Sequence, residues 1–218
     1  MSDVSERGKI EPGTPSDRTE FEKDFGVGLL EFVKRDDRLR PIYERFILEC
    51  ENITEVIKKG KANKANMYTL EKRFNVLDEK INELKNEAEN LAKEKEGKPD
   101  DEVKKIDDKI KRLGRKKCGE LRAADSEFHG QLFQIGGNED NLRNLDSKMN
   151  INLQNEIWRS IVDASHYMKL QKSHSEIFAS LKTAMETGEN SNEVRQRAIN
   201  AMQSHFSVIL VHYNSAVQ

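Results

Sequence analysis

Residues 70–92 read LEKRFNVLDEKINELKNEAENLA, with apolar positions at Leu70, Phe74, Leu77, Ile81, Leu84, Ala88 and Leu91. The steps between them alternate four and three, which draws one apolar stripe down a helix and leaves the charges on the other faces. Gly97, Pro99, Asp100 and Asp101 interrupt the stripe, and Val103, Ile106, Ile110 and Leu113 resume it. Two opposed helices around a Gly/Pro turn make a helical hairpin or coiled-coil arm, here over about residues 70–117. As function, such a seam reads as a solvated hairpin that dimerises or braces the body.

The composition around it agrees with an all-α chain. Of 218 residues, 35% are charged and only 35% are hydrophobic, with four prolines and twelve glycines. That balance suits elongated helices burying one face each, and it offers too few turn formers for a sandwich of short strands. A net charge of −2 gives no global field for nucleic acid or anionic lipid. No apolar run approaches the roughly 18–20 residues of a membrane span, and no signal-peptide pattern opens the chain. The two cysteines, Cys50 and Cys118, have no motif spacing. Two free thiols in a reducing cytoplasm are the simplest reading.

Residues 1–19 carry Gly8, Pro12, Gly13, Pro15, Ser16 and Asp17 and read as a mobile arm. A short amphipathic stretch follows (Phe21, Phe25, Leu29, Leu30, Val33), and Pro41 stops one helix or opens the next. Ile42, Phe46, Leu48, Cys50, Ile53 and Ile57 are the apolar positions of a helix from 42 to 59. Beyond Cys118 the apolar density rises, and all five histidines lie there. Gly136-Gly137-Asn138 and Gly188-Glu189-Asn190 mark helix ends. Helices are expected at about 118–135, 139–170, 173–187 and 191–214.

Asp125 and His129 stand four residues apart in AADSEFHGQLF, so both leave one helix face a turn apart. Such a pair can put a carboxylate oxygen and an imidazole nitrogen on one metal ion, or simply hydrogen-bond on a helix surface. His174 and His205 each lie on or beside an apolar stripe of a different helix. Three inward imidazoles compete for acceptors, whereas a divalent ion satisfies all of them with the aspartate. His166, on a polar stretch before an expected turn, and His212 suit surface or packing roles.

The run Asp125-Ser126-Glu127-Phe128-His129 through Gly137-Asn138 resembles the hallmark of the FCD domain of GntR/FadR-type transcription regulators. His174 through Leu181 resembles that family's second histidine helix, and Ala198 through His205 its alanine-rich last helix. Arg45-Phe46-Ile47-Leu48-Glu49 resembles the Arg-x-x-Leu-Glu pattern of its first helix. These four pieces fall in the family's order across most of residues 41–214. The resemblance implies an antiparallel helical bundle over 41–218, with the hairpin as an insertion. It also implies a divalent ion on Asp125, His129, His174 and His205, zinc or nickel by the donor set. A small carboxylic acid effector would bind at or beside the ion, with Arg45 near that pocket. Two departures stand out: the gap from Arg45 to Asp125 is longer than in the family, and so is the gap from His174 to His205.

Residues 10–18, followed by Phe25-Gly26-Val27, resemble the start of the family's winged helix-turn-helix, and residues 28–35 a remnant of its recognition helix. Residues 1–40 therefore read as a flexible arm with a degenerate reader, whose cations would be Lys34, Arg35, Arg38 and Arg40. The leading expectation is an effector-sensing regulator, a homodimer without enzymatic activity. A metal and carboxylate module that has lost specific DNA binding is the second reading, and a structural coiled-coil protein the third. A metalloenzyme ranks last, since no paired acid or base accompanies the Asp/His set.

Overall fold

In the computed structural model, the described residues are 39–59, 64–148, 164–188 and 191–217. They form six helices: α1 (Arg40–Lys59), α2 (Lys64–Lys93), α3 (Asp100–Gly136), α4 (Glu139–Lys148), α5 (Ala164–Thr187) and α6 (Asn192–Val217). Among the described residues there is no strand, and the fold is all-α. The chain divides between Arg40 and Pro41 into two units. The arm and reader remnant expected over 1–40 lie almost wholly outside the described residues.

Proline at the second position of α1 needs no intrahelical donor and presets the first turn. Phe46, Cys50, Ile53 and Ile57 then follow at helical spacing, all buried. The heptad seam of α2 buries Leu70, Leu77, Ile81, Leu84 and Ala88. Gly97, at φ +71, makes the turn that reverses the chain, in the left-handed region where a side chain is costly. α3 then opens on Asp100, Asp101 and Glu102, whose carboxylates face the positive end of the helix dipole.

The hairpin is observed, but its second helix does not stop near residue 117. α3 runs unbroken for 37 residues, so the helix that forms the arm also carries Asp125 and His129. Gly114 and Gly119 each weaken the helix without ending it, since neither is joined by a proline or a cap. The two apolar stripes alone predict Leu77, Ile81 and Leu84 facing Val103, Ile106 and Ile110, and the observed register differs. Cross-helix ion pairs Arg73–Glu127, Lys80–Glu120 (3.1 Å) and Lys117–Glu83 (3.9 Å) set Leu77 to Leu84 beside residues near 116–124. Exposed pairs of this kind add little stability each, but they choose among registers that the apolar stripe alone leaves equivalent.

At its lower end α2 also packs on α5. Phe74 stacks on Phe178 at 5.0 Å, and Gln171 of α5 donates to Asp78 and Asn82 of α2. α5 is one continuous helix through residues 170–173, where a turn had been expected. Ser173 returns its hydroxyl to the Leu170 carbonyl at 2.7 Å, and Leu170, Ser173 and His174 are buried, so the polar letters sit inside the packing. The helix expected over 139–170 appears as α4 followed by the start of α5, with 149–163 outside the described residues.

α3 ends as its Gly-Gly-Asn letters imply. Gly137 takes φ +76, its N–H bonds the Gln134 carbonyl, and the Asn138 N–H bonds that of Phe133. This pair of backward bonds satisfies two carbonyls that the helix end would strand. Asn138 then turns to α1, donating to Asn52 Oδ1 at 2.8 Å. Asn52 Nδ2 in turn donates to the Leu132 carbonyl at 2.6 Å, which latches α1 to the end of α3. α1 meets α6 through Phe46 stacked on Phe206 at 4.7 Å. With α5 and α6 joined through Gly188 (φ +67), four helices enclose one interior point.

Candidate metal centre

Asp125 and His129 point inward together from α3, His174 enters from α5 and His205 from α6. Their exposures are 8%, 2%, 1% and 4%, which removes all four from bulk water. One ligand-type atom from each lies within 4.8 Å of the others. Asp125 Oδ1 stands 3.0 Å from His174 Nε2, 3.7 Å from His129 Nε2 and 3.9 Å from His205 Nε2. The Nε2 atoms of His129 and His174 are 3.1 Å apart. Three imidazole nitrogens therefore surround one carboxylate oxygen. The widened turn between His174 and His205 does not remove His205 from the group.

A buried group of this composition is hard to satisfy with protons alone. Asp125 Oδ1 is buried without a directed hydrogen bond, and so are the Nδ1 atoms of His129, His174 and His205. His129 Nδ1 lies 2.8 Å from Glu49 Oε2. That contact favours the tautomer with the proton on Nδ1, leaving the Nε2 lone pair aimed at Asp125 and His174. Bonds of about 2.0–2.2 Å to one transition ion put its ligand atoms roughly 3–4 Å apart, the spacing of the closest pairs here. Three nitrogens and one oxygen suit a late transition ion better than magnesium or calcium. The donor set fits a metal ion.

The charges follow from burial and proximity. Burial raises the Asp125 carboxyl, but the imidazoles of His129, His174 and His205 outweigh it and hold the group well below the usual range. Burial also raises Glu49, yet His129 and Arg45 overcome it and bring the carboxyl down to about 2. For His129 burial disfavours the imidazolium, while Glu49 and Asp125 outweigh that and raise its pKa. For His205 burial dominates, helped by His174, and its pKa falls well below the ordinary histidine value. Neighbouring rings of one cluster are thus pushed apart, one toward the cation and one toward the neutral ligand form. Phe128 forms the wall, edge-on to His129 (5.4 Å) and to His174 (5.1 Å).

Arg45 stands on α1 with its Nε donating to Glu49 Oε1 at 3.0 Å, so its charge reaches the cluster through Glu49. Arg40 is the exposed first residue of α1, while Lys34, Arg35 and Arg38 lie outside the described residues. His166 is partly exposed on α5, and the side chain of His212 lies outside the described residues. Glu49 is the residue that reading the chain left without a role. Its signal was an acid on the apolar face that also carries Phe46, Cys50 and Ile53, four residues after an arginine.

Fold and site together define an all-α protein with a buried Asp/His cluster that can hold a metal ion. No described helix is long and apolar enough to cross a membrane. Neither family models, nor curated proteins, nor solved structures return a match to this chain.

Proposed function

We propose that residues 41–218 are the effector-sensing domain of a GntR/FadR-type transcription regulator. In this reading Asp125, His129, His174 and His205 hold a divalent transition ion, zinc or nickel, and a small carboxylic acid binds at that ion. The observation that carries the reading is the convergence of these four buried side chains from three helices, in the order and with the residue types that the FCD resemblance names.

The residues themselves supply the sensing logic. α3, α5 and α6 each contribute ligands, so whatever binds at the cluster acts on three helices at once. A ligand that prefers one packing of those helices shifts the population toward it, by no more than its difference in affinity for the two packings. In a homodimer such a shift alters how two readers sit on DNA. The proposed role is binding rather than catalysis, and it belongs in the cytoplasm. DNA contacts would come from Lys34, Arg35, Arg38 and Arg40, but Glu31, Asp36 and Asp37 lie among them. Weak, salt-dependent and largely non-specific binding is expected of this chain alone, at about 10⁻⁴–10⁻⁶ M.

Metal analysis of the purified protein, with a DNA-shift titration near physiological salt, tests the proposal. Close to one equivalent of zinc or nickel is expected, largely lost in His129→Ala and in His174→Ala. Wild-type metal content in both variants would sink the site. Metal without any DNA binding would leave a metal and carboxylate module in place of a regulator. A nanomolar DNA site surviving competitor would overturn the expectation of weak binding and restore a full reader.

A further inference from the structure

Glu49 is the buried titratable group that the four-ligand set does not use. It sits on α1, a helix that contributes none of those ligands, and it is 4% exposed. Its two oxygens point to different partners. Oε2 lies 2.8 Å from His129 Nδ1, on the ring edge away from the cluster, and Oε1 accepts from Arg45 Nε at 3.0 Å. A carboxylate buried this deeply costs several kcal/mol unless its partners offset the loss of water. Placing one here is therefore an arrangement with a consequence for the ring it faces.

We infer that Glu49 is a positioning residue for the metal centre, and that Arg45 acts on the centre by clamping Glu49. The inference rests on the metal-binding reading above. A neutral imidazole carries its proton on one nitrogen and its lone pair on the other. With the carboxylate at Nδ1, the proton stays there, Nε2 is the free donor and the ring cannot turn away from Asp125. The carboxylate also makes Nε2 a better donor, as partners of ligating histidines do. Arg45 holds Oε1, which leaves Oε2 for the ring and keeps the side chain from rotating into the cluster. The Asn52 bond to Leu132 supports this from below, because it fixes α1 against α3 within one turn of both Glu49 and His129. Of the three rings, His129 is the one with a carboxylate beside Nδ1, a close ionic contact rather than a directed hydrogen bond, so its orientation is the one biased from outside the cluster.

Zinc alone, titrated in competition with a chromophoric chelator, is the probe, with Glu49→Ala, Glu49→Gln and Arg45→Ala set beside the wild type. Glu49→Ala should weaken zinc by about 10–100-fold, the range seen when partners of ligating histidines are removed. Glu49→Gln keeps an acceptor oxygen and the volume, so it should recover part of that loss and stand in if Glu49→Ala does not fold. Arg45→Ala should fall between Gln and wild type. Imidazole ¹⁵N shifts of metal-free protein, at a pH where His129 is neutral, give a second readout that general destabilisation would not move. The wild type should show the Nδ1–H tautomer and Glu49→Ala a shift toward Nε2–H. Zinc affinity in Glu49→Ala within about twofold of wild type would overturn the inference. So would an unchanged His129 tautomer. Should the wild type bind no zinc, the metal reading falls while the tautomer measurement still decides the role of Glu49.

Discussion

Replacing Gly136 with alanine should loosen α1 from the candidate metal centre without touching any of its four residues. A Cβ at residue 136 would lie 1.5 Å from Asn52 Oδ1, 2.3 Å from its Cγ and 2.7 Å from its Nδ2. The Asn52 amide must therefore leave its place. It is 1% exposed and holds two hydrogen bonds, to the Leu132 carbonyl and from Asn138. Two such bonds are worth about 1 kcal/mol each, and an amide left buried without partners costs about 1–3 kcal/mol more. Against this, alanine gains up to about 1 kcal/mol over glycine in a helix, less at its last residue. The balance is a loss of about 2–5 kcal/mol. Urea unfolding of wild type, Gly136→Ala, Asn52→Ala and the double variant forms a cycle that isolates the clash. In the Asn52→Ala background the glycine substitution should cost little or nothing, because the obstructing amide is gone. Zinc affinity should fall in Gly136→Ala as well, since Glu49 rides on the same helix one turn earlier. A Gly136→Ala stability within about 0.5 kcal/mol of wild type would refute the latch. So would an equal cost in both backgrounds.

Two further outcomes follow. The Glu49 carboxyl is held down to about 2 in the folded protein against an ordinary 4.5, so its contribution is present above about pH 4.5 and disappears as pH falls toward 2. Metal-free wild type should lose about 2–3 kcal/mol more than Glu49→Gln between pH 5 and pH 2 in urea unfolding, and parallel pH profiles would speak against the buried pair. Joining Glu87 to Gly114 through a short glycine-rich turn removes only the distal arm. The α2 residues that meet α5, from Glu71 to Asn82, remain. Folding should persist and zinc affinity stay within about twofold, as for a change far from the site. A variant that fails to fold would make the arm part of the core.

The all-α fold was legible because helical periodicity is a local property. The 4-3 stripe of residues 70–91 and the Gly-Gly-Asn stop after Ile135 each declare themselves within a few turns of chain. The hairpin register was not legible, for the same reason that the hairpin was. A heptad stripe shifted along its partner still meets an apolar stripe, and the choice falls to pairs such as Lys80–Glu120 that periodicity does not see. The turn that the polar run near 170–173 predicts is absent because Ser173 is buried and returns its hydroxyl to its own helix, so a polar letter there does not mark solvent. Cluster residues were visible as histidines on apolar stripes. Glu49 was not, because nothing in its surroundings names a ring 80 residues away.

The grouping of Asp125, His129, His174 and His205 bears on more than the site. Asp125 and His129 would lie side by side on any helix, so their proximity adds nothing beyond helicity. His174 and His205 are different: each comes from its own helix, and each helix has several faces that could turn inward. A pair of adjacent helices packs with their apolar stripes facing, which places a histidine on a stripe near the interior but leaves its height along the axis free. At 1.5 Å of rise per residue, a slip of one turn moves a ring by about 5 Å, enough to take it out of reach of the others. Both rings nevertheless stop at Asp125 Oδ1, at 3.0 Å and 3.9 Å. Apolar packing has no reason to level three imidazoles on one carboxylate, because it then buries lone pairs that face one another. A shared cation supplies that reason, and it is the physical ground on which the metal reading stands.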